Sequence, residues 1–323
     1  MSKILRIGTR DSQLAVWQAT WVHNLLKDAG LASELVYIKS EGDLDTVTPL
    51  YALGVQGVFT KALDSALLAG RIDLAVHSMK DVPTQLAQGI SQSAVLPRAS
   101  TSDILVYKND EDLQALGYDG SAWNAVTPPA MTIATGSIRR TAQWLNRYPG
   151  HHIDNLRGNV NTRLRKLSES VWTGAIFAAA GLERIHLRPE TSVDLDWMLP
   201  APAQGAVVVV CRENDDYALD ACRSFNDETT ALCTAIERDF LRTLMGGCST
   251  PISALAAVED GQVVLKGNIV RPDGSHRIDI EERAAAADAA TLGERAARKL
   301  LHEGGDAIIG SLRQKGPATH GQP

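Results

Sequence analysis

The sequence predicts an α/β protein of two similar lobes joined by a hinge, followed by a small α+β domain. Three observations lead there. Short apolar runs alternate with helical patterns through the first part of the chain, and the same alternation restarts near Asp103. A later run, Ala206-Val207-Val208-Val209-Val210, reads as a fully buried parallel strand, and its position after the second unit implies that the chain crosses back to complete the first. The chain has 323 residues, enough for two or three domains at roughly 100–200 residues each. The expected boundaries are 1–101 plus 204–223 for the first domain, 102–199 for the second and 227–315 for the third, with 316–323 a frayed tail.

Each element has a local reason. Ile4 to Gly8 reads as a strand, and Ser12 can cap a helix in which Leu14, Trp17, Trp21 and Leu25 recur at helical spacing until Gly30 stops it. Leu35 to Ile38 is the next strand. After a polar segment and a turn at Gly54 and Gly57, a helix runs through Phe59, Leu63 and Leu67 to Gly70, and Ile72 to Val76 is a buried strand. In the second unit, strands at Ile104–Tyr107, Met131–Ala134 and Ala175–Ala178 are separated by helices starting near Ser137 and Asn159, the first with Trp144 and Leu145 inward. The last section has a long helix from Asp227 to about Leu244. Strands follow around Ile252–Val258, Val263–Ile269 and Arg277–Glu281, and then Ala-rich helices.

Composition excludes several classes. Hydrophobic residues at 44% and charged residues at 22% are ordinary for a globular chain, and no apolar run approaches the ~20 residues of a membrane span. The segment Met1 to Arg6 lacks the apolar core of a signal peptide, so a cytoplasmic protein is expected. A formal net charge of -6 argues against nonspecific nucleic-acid binding. Cys211, Cys222, Cys233 and Cys248 include no Cys-x-x-Cys pair, and the one adjacent histidine pair, His151-His152, lacks the spacing of a helical metal site. No metal is expected.

Against that acidic background, six arginines and one lysine fall between Thr135 and Lys166 with Asp154 as the single acidic residue. Solvated helix faces interleave both signs, so such a block points to a pocket for a small polyanion, bound by the paired planar hydrogen bonds of guanidinium groups. Thr135, Ser137, Arg139 and Arg140 lie where a strand runs into a helix N-terminus, whose free N–H groups and dipole favour anions. Arg157-Gly158-Asn159 repeats the arrangement one strand later, with Asn159 as cap and Arg163 one turn into the helix. His77-Ser78-Met79-Lys80-Asp81-Val82-Pro83 leaves the end of a buried strand, where open α/β sheets place ligand groups. It reads either as a solvated turn with a Lys/Asp pair or as an anion-binding Lys80 beside a proton-moving or cation-stabilising Asp81. Gly246-Gly247-Cys248 leaves a thiol on a loop between helix and strand, while the other three cysteines suit a buried apolar role.

The segment Glu237-Arg238-x-Phe240, then Leu244-x-Gly246-Gly247-Cys248-x-Thr250-Pro251-Ile252-Ser253, resembles the cofactor-attachment signature of the porphobilinogen deaminase (hydroxymethylbilane synthase) family. Other blocks fall in the family's order: 7–15, 76–83, the two arginine blocks, 180–184 and 199–206. The resemblance covers nearly the whole chain. It implies three domains, the first two like type II periplasmic binding proteins, in a cytosolic, usually monomeric enzyme of tetrapyrrole (haem) biosynthesis. It further implies a transferase that joins four porphobilinogen molecules head to tail, releasing ammonia, and then hydrolyses off hydroxymethylbilane. The primer would be a dipyrromethane cofactor held by a thioether to Cys248. Asp81 matches the carboxylate that faces pyrrole N–H groups and steadies cationic azafulvene intermediates. Lys80, Thr135, Ser137, Arg139, Arg140 and Arg163 match cofactor-holding groups, and Arg10, Ser12, Arg157 and Gln204 fall in substrate-binding motifs. Glu41 and Gln56 stand where many relatives carry basic residues, and Ala203 replaces a frequent glycine. A two-lobed anion-binding protein would explain the arginines but has no use for Cys248 or Asp81. A cysteine hydrolase lacks a histidine in a comparable loop motif.

Overall fold

The computed structural model describes residues 3–39, 60–244 and 250–314. In the first lobe, β1 (Leu5–Thr9) leads into α1 (Gln13–Asp28), β2 (Ser33–Tyr37), α2 (Lys61–Leu68), β3 (Leu74–Ser78) and β4 (Ile90–Val95). The second lobe holds β5 (Asp103–Tyr107), α3 (Asp110–Ala115), β6 (Thr132–Ala134), α4 (Ile138–Arg147), β7 (His152–Asp154), α5 (Val160–Glu169), β8 (Gly174–Ala178), α6 (Ala179–Glu183) and β9 (Ser192–Asp194). The chain then returns through β10 (Val207–Arg212) and α7 (Asp216–Arg223). The last section packs α8 (Glu228–Thr243) on the antiparallel strands β11 (Ile252–Glu259), β12 (Gln262–Val270) and β13 (Arg277–Ala285), with α9 (Leu292–Leu300) and α10 (Asp306–Gln314) behind.

The first sheet has the order β2-β1-β3-β10-β4 and the second β7-β6-β8-β5-β9. In each, three parallel strands meet one antiparallel strand supplied by a chain crossing: β5 pairs antiparallel with β8, and β10 with β3 and β4. The expectation that the 206–210 run is buried and returns to the first sheet holds. Its expected parallel direction does not. Val207 lies opposite Ser78, at the end of β3 where the crossing arrives, so the strand can only run back along the sheet. Its buried valines occupy both faces of the central sheet, which is why it lacks alternation.

The inward face of α1 also differs from expectation. Ala15, Ala19, Val22 and Leu26 are buried, while Leu14, Trp17, Trp21 and Leu25 are half-buried. Small residues let the helix lie close on the sheet, and the large ones turn toward its edges. Leu14 and Trp17 thereby reach the second lobe, with Leu14 beside Gly181 and the Arg184 guanidinium 5.7 Å from the Trp17 ring centre. In the second lobe Trp144 is fully buried as expected, and Leu145 is half-buried.

A buried carboxylate holds each end of the first sheet's frame. At the end away from the crossings, Asp73 binds Arg6 of β1 (2.9 and 3.0 Å) and Arg212 of β10 (2.9 Å); against the effect of burial, Arg6 and Arg212 hold its carboxyl well below the usual range. At the crossings, fully buried Glu237 of α8 takes both terminal nitrogens of Arg98 (2.6 and 2.9 Å), the Ala203 N–H (2.6 Å) and the Ala256 N–H (2.7 Å). Arg98 lies on the first crossing, Ala203 on the second and Ala256 on β11. One carboxylate therefore ties both hinge segments to the third sheet.

Candidate active site

The turn after β3 is fixed from three sides. Residues Met79–Asp81 form one 3-10 turn, and buried Met79 donates its N–H to the Ala206 carbonyl at 3.0 Å. Gln18 of α1 donates to the Ser78 hydroxyl at 2.8 Å. Arg238 of α8 donates to the carbonyls of Val82 at 3.0 Å and Pro83 at 2.5 Å, immediately after Asp81. This argues against a loose solvated turn, because charge-assisted bonds to consecutive carbonyls hold the backbone that carries Lys80 and Asp81.

Across from it stand the N-termini of α4 and α5. Thr135 is buried, and its hydroxyl accepts the Ser137 N–H at 3.3 Å. Ser137 occupies the N-cap of α4 without bonding its own helix through its side chain. Asn159 caps α5 as expected, accepting from the Thr162 N–H at 2.9 Å, and Ser12 caps α1 through the Ala15 N–H at 3.4 Å.

Arg139 and Arg140 are buried and already serve the protein's own interior. Both bind Asp103, the first residue of β5: Arg139 Nη2 lies 2.7 Å from Oδ2, and Arg140 Nη2 and Nε lie 2.8 and 3.0 Å from Oδ1. Arg139 also donates to the Leu199 carbonyl at 2.8 Å, and Arg140 to the Ile176 carbonyl at 3.0 Å. Burial alone would raise the Asp103 carboxyl; Arg139 and Arg140, with Gln204 and Lys80, bring it down to about 2. Burial pushes the Arg139 guanidinium down, which Asp103 opposes.

Gln204, expected among the substrate-binding residues, is also buried and committed. Its Nε2 donates to the Thr101 carbonyl (2.8 Å) and Asp103 Oδ1 (3.0 Å), and its Oε1 accepts from Lys80 Nζ at 3.1 Å. Lys80 is pushed down to about 8 by burial and then by Arg140, with Asp81 and Asp103 opposing. Arg163 donates to the Gly158 carbonyl at 2.7 Å and is pushed down to about 10, by burial first and then by Arg140, with Arg157 adding and Asp81 opposing. His77, buried on β3, falls to about 3 through burial and the Arg10 charge.

The structure thus brings Lys80, Asp81, Arg139, Arg140, Arg157, Arg163 and Gln204 into one cleft, with Arg10 within electrostatic reach of the strand that leads into it. Cys248, with Glu41 and Gln56, lies outside the described residues. Buried Cys211, Cys222 and Cys233 are free thiols, and burial pushes Cys211 up to about 11 and Cys222 up to about 12, which keeps them inert. Among the described residues no group of three His, Cys, Asp or Glu side chains could hold a metal ion. Asp103 is the member of this cluster that sequence reasoning passed over. Its signal was a carboxylate heading an apolar strand, the first acidic residue after Asp81, but its pairing with Arg139 and Arg140 is not readable from spacing.

The chain matches the family model "Porphobilinogen deaminase, dipyromethane cofactor binding domain" over residues 5–220 and "Porphobilinogen deaminase, C-terminal domain" over residues 231–302. The chain belongs to the porphobilinogen deaminase family. It is 41% identical over 315 residues to the porphobilinogen deaminase of Syntrophotalea carbinolica, covering 96% of each chain. It is 38% identical over 319 residues to that of Pelotomaculum thermopropionicum, covering 98% of this chain and 99% of the relative. The chloroplastic porphobilinogen deaminase of Oryza sativa subsp. japonica is 42% identical over 281 residues, 84% of this chain and 75% of that one. Among solved structures, an amino acid ABC transporter substrate-binding protein from Streptococcus pneumoniae aligns with a TM-score of 0.38 and 14% identity, over 69% of this chain and 87% of that one. No helix among the described residues is long and apolar enough to cross a membrane.

The residues fit a dipyrromethane. Its acetate and propionate groups make it a polyanion, and Lys80 and Arg163 are cations whose charge is opposed by burial and by neighbouring guanidinium groups. Groups in that condition gain most from an added anion.

Proposed function

We propose that this chain is a hydroxymethylbilane synthase, which joins four porphobilinogen molecules head to tail, releases ammonia and frees the linear product by hydrolysis. The observation that carries the reading is the carboxylate of Asp81, held on a rigid turn and acting on Lys80 and Arg163 beside the Arg139–Arg140–Asp103 cluster. A dipyrromethane held by Cys248 would supply the primer for pyrrole addition, with Lys80 and Arg163 as the groups that would hold its carboxylates. Lys80, Arg157 and Arg163, with Arg10, bind the acetate and propionate carboxylates. Thr135 and Ser137 offer donors at the start of α4. Arg139 and Arg140, tied to Asp103, act as a fixed positive field rather than as clamps, and Ser12 acts chiefly by capping α1.

Asp81 accepts a hydrogen bond from the pyrrole N–H of the substrate, and its charge stabilises the cation that forms as the aminomethyl group loses ammonia. Arg238 and Met79 keep Asp81 from following the substrate as the product lengthens. The domain boundaries 1–101 plus 204–223, 102–199 and 227–315 are supported by the three separate sheets and their separate cores. We also propose a cytoplasmic monomer, for which the buried free thiols suit a reducing compartment; light scattering tests the oligomeric state. Intact mass with a peptide map tests the main reading: a dipyrromethane adduct on Cys248, porphobilinogen turnover by the wild type, and no turnover by Cys248→Ala. An active protein with unmodified Cys248 would overturn it.

A further inference from the structure

Two buried side chains connect the hinge to the catalytic turn. Asp103 follows the first crossing between the lobes, and Gln204 lies on the second, just before β10. The Gln204 amide binds the Asp103 carboxylate and the Thr101 carbonyl with its nitrogen, and its oxygen takes the Lys80 ammonium. All of these distances fall between 2.8 and 3.1 Å, and Asp103 and Gln204 are both essentially inaccessible to solvent. The same carboxylate anchors Arg139 and Arg140 of the second lobe. One hinge position therefore references cations from both lobes.

We propose that Asp103 is a positioning residue for the reaction: acting through Gln204, it holds the Lys80 ammonium beside Asp81 and balances the charge that Arg139 and Arg140 bring to it. This rests on the role given to Lys80 and Asp81 above. The physical need is clear from the groups that face Lys80. Arg139 and Arg140 of α4 oppose its charge, while Asp81 on its own turn and Asp103 on β5 favour it. The Gln204 oxygen adds a dipole of the favourable sign. Without Asp103, three cations would share a buried space with Asp81 as the remaining counter-charge among these groups. A hinge is also the region that moves least when two lobes rotate. A network fastened there keeps Lys80 and Asp81 in register with Arg139 and Arg140 while the cleft adjusts to a lengthening product.

The test uses full-length, cofactor-loaded enzyme with Asp103→Asn and Gln204→Met. The first removes the charge and keeps the shape; the second cuts the link while leaving Asp103 on its arginines. Two readouts are taken: kcat and KM for porphobilinogen across pH, and the pH midpoint for acetylation of Lys80 by acetic anhydride, followed by peptide mass. Both variants should lower the Lys80 midpoint and move the alkaline limb of kcat/KM to lower pH. At pH 8, kcat should fall about tenfold or more and KM change less than about threefold. Folded variants with the wild-type midpoint and limb would overturn the proposal. If Asp103→Asn does not fold, Gln204→Met decides alone by the same criteria. A wild type that ignores porphobilinogen would sink the functional reading instead, and the acetylation midpoints would still report whether Asp103 and Gln204 govern Lys80.

Discussion

The two five-stranded sheets share one strand order, yet the strand ends that face the cleft carry different chemistry. β1 and β6 occupy the same place, and each runs through a buried threonine, Thr9 or Thr135, to a serine cap, Ser12 or Ser137, that opens a helix. β3 and β8 also correspond, and each is followed at once by a short helical turn. In the first lobe that turn is Met79-Lys80-Asp81. In the second it starts Ala179-Ala180-Gly181, and Gly181 lies against Leu14 of the first lobe. The second lobe instead places its charge on α4 and α5 as arginines. A repeated scaffold thus presents equivalent backbone positions to the cleft from both sides, and side-chain choice divides the labour. In the function proposed above, one lobe supplies the carboxylate for the chemical step and the other the guanidinium field that gathers anions. The cores differ as well: the second lobe fills one side of its sheet with Trp144, Tyr148 and Trp197, where the fully buried residues of the first are aliphatic or cysteine and its aromatics, Trp21 and Phe225, are only partly buried.

The sharpest way to break this division is Asp81→Asn in enzyme whose cofactor loading has been confirmed by mass. Loss of the negative charge should slow single-turnover assembly by about 100- to 1,000-fold, with substrate affinity much less affected. An unchanged single-turnover rate would remove the chemical role from the first lobe. Within the second lobe, Arg140→Leu and Arg163→Leu should separate. Arg140→Leu strips a partner from buried Asp103 and should cost about 3 kcal/mol or more in denaturant unfolding. Arg163→Leu should leave stability nearly unchanged and weaken substrate or chain binding, because it removes a cation that its surroundings oppose. Equal unfolding curves for the two variants would contradict the assignment of Arg140 to Asp103.

A smaller effect is expected from pH. Burial and Arg140 push Lys80 down to about 8, and carboxylates bound beside it raise it again, so in the loaded enzyme kcat/KM should decline on an alkaline limb lying above that value. Lys80→Arg, which stays charged, should flatten this limb even if overall activity drops. The smallest effect concerns the hinge. Ala203 has φ +61, in the left-handed region that favours glycine, and its N–H is held by Glu237. Ala203→Gly should raise stability by up to about 1 kcal/mol in equilibrium unfolding, relief of strain being partly offset by the added freedom of the unfolded chain. Gly205, two residues on, allows no such exchange in reverse: its φ is +84, and a Cβ there would sit 2.6 Å from the Ala99 carbonyl oxygen.

Strands and helices with long, regular patterns were legible. β1, β3, β5 and β8 appear within about two residues of the expected positions, and Ser12, Asn159 and Asp227 cap the helices that follow them. The strand before Arg157, β7, was expected without bounds, whereas β4 and β9 were not singled out. β9 has only three residues, and β4 reads Ile-Ser-Gln-Ser-Ala-Val, in which polar residues dilute the apolar signal. The direction of β10 and the buried face of α1 were misread for a related reason: an apolar run reports burial, whereas direction and facing depend on where the rest of the chain lies.

The sequence by itself pointed to a polyanion, because arginines gathered near helix starts without interleaved acids are unusual on a solvated face. It also determined the family, through the blocks around Asp81, Arg139, Arg157 and Cys248. What only the tertiary structure decided is which of those cations belong to the ligand and which to the protein. Arg139 and Arg140 meet Asp103 across 36 and 37 positions of chain, and Lys80 meets Gln204 across 124. Burial makes a charge seek whatever partner the fold brings within reach, and that partner is set by the three-dimensional path of the chain rather than by the residues beside it.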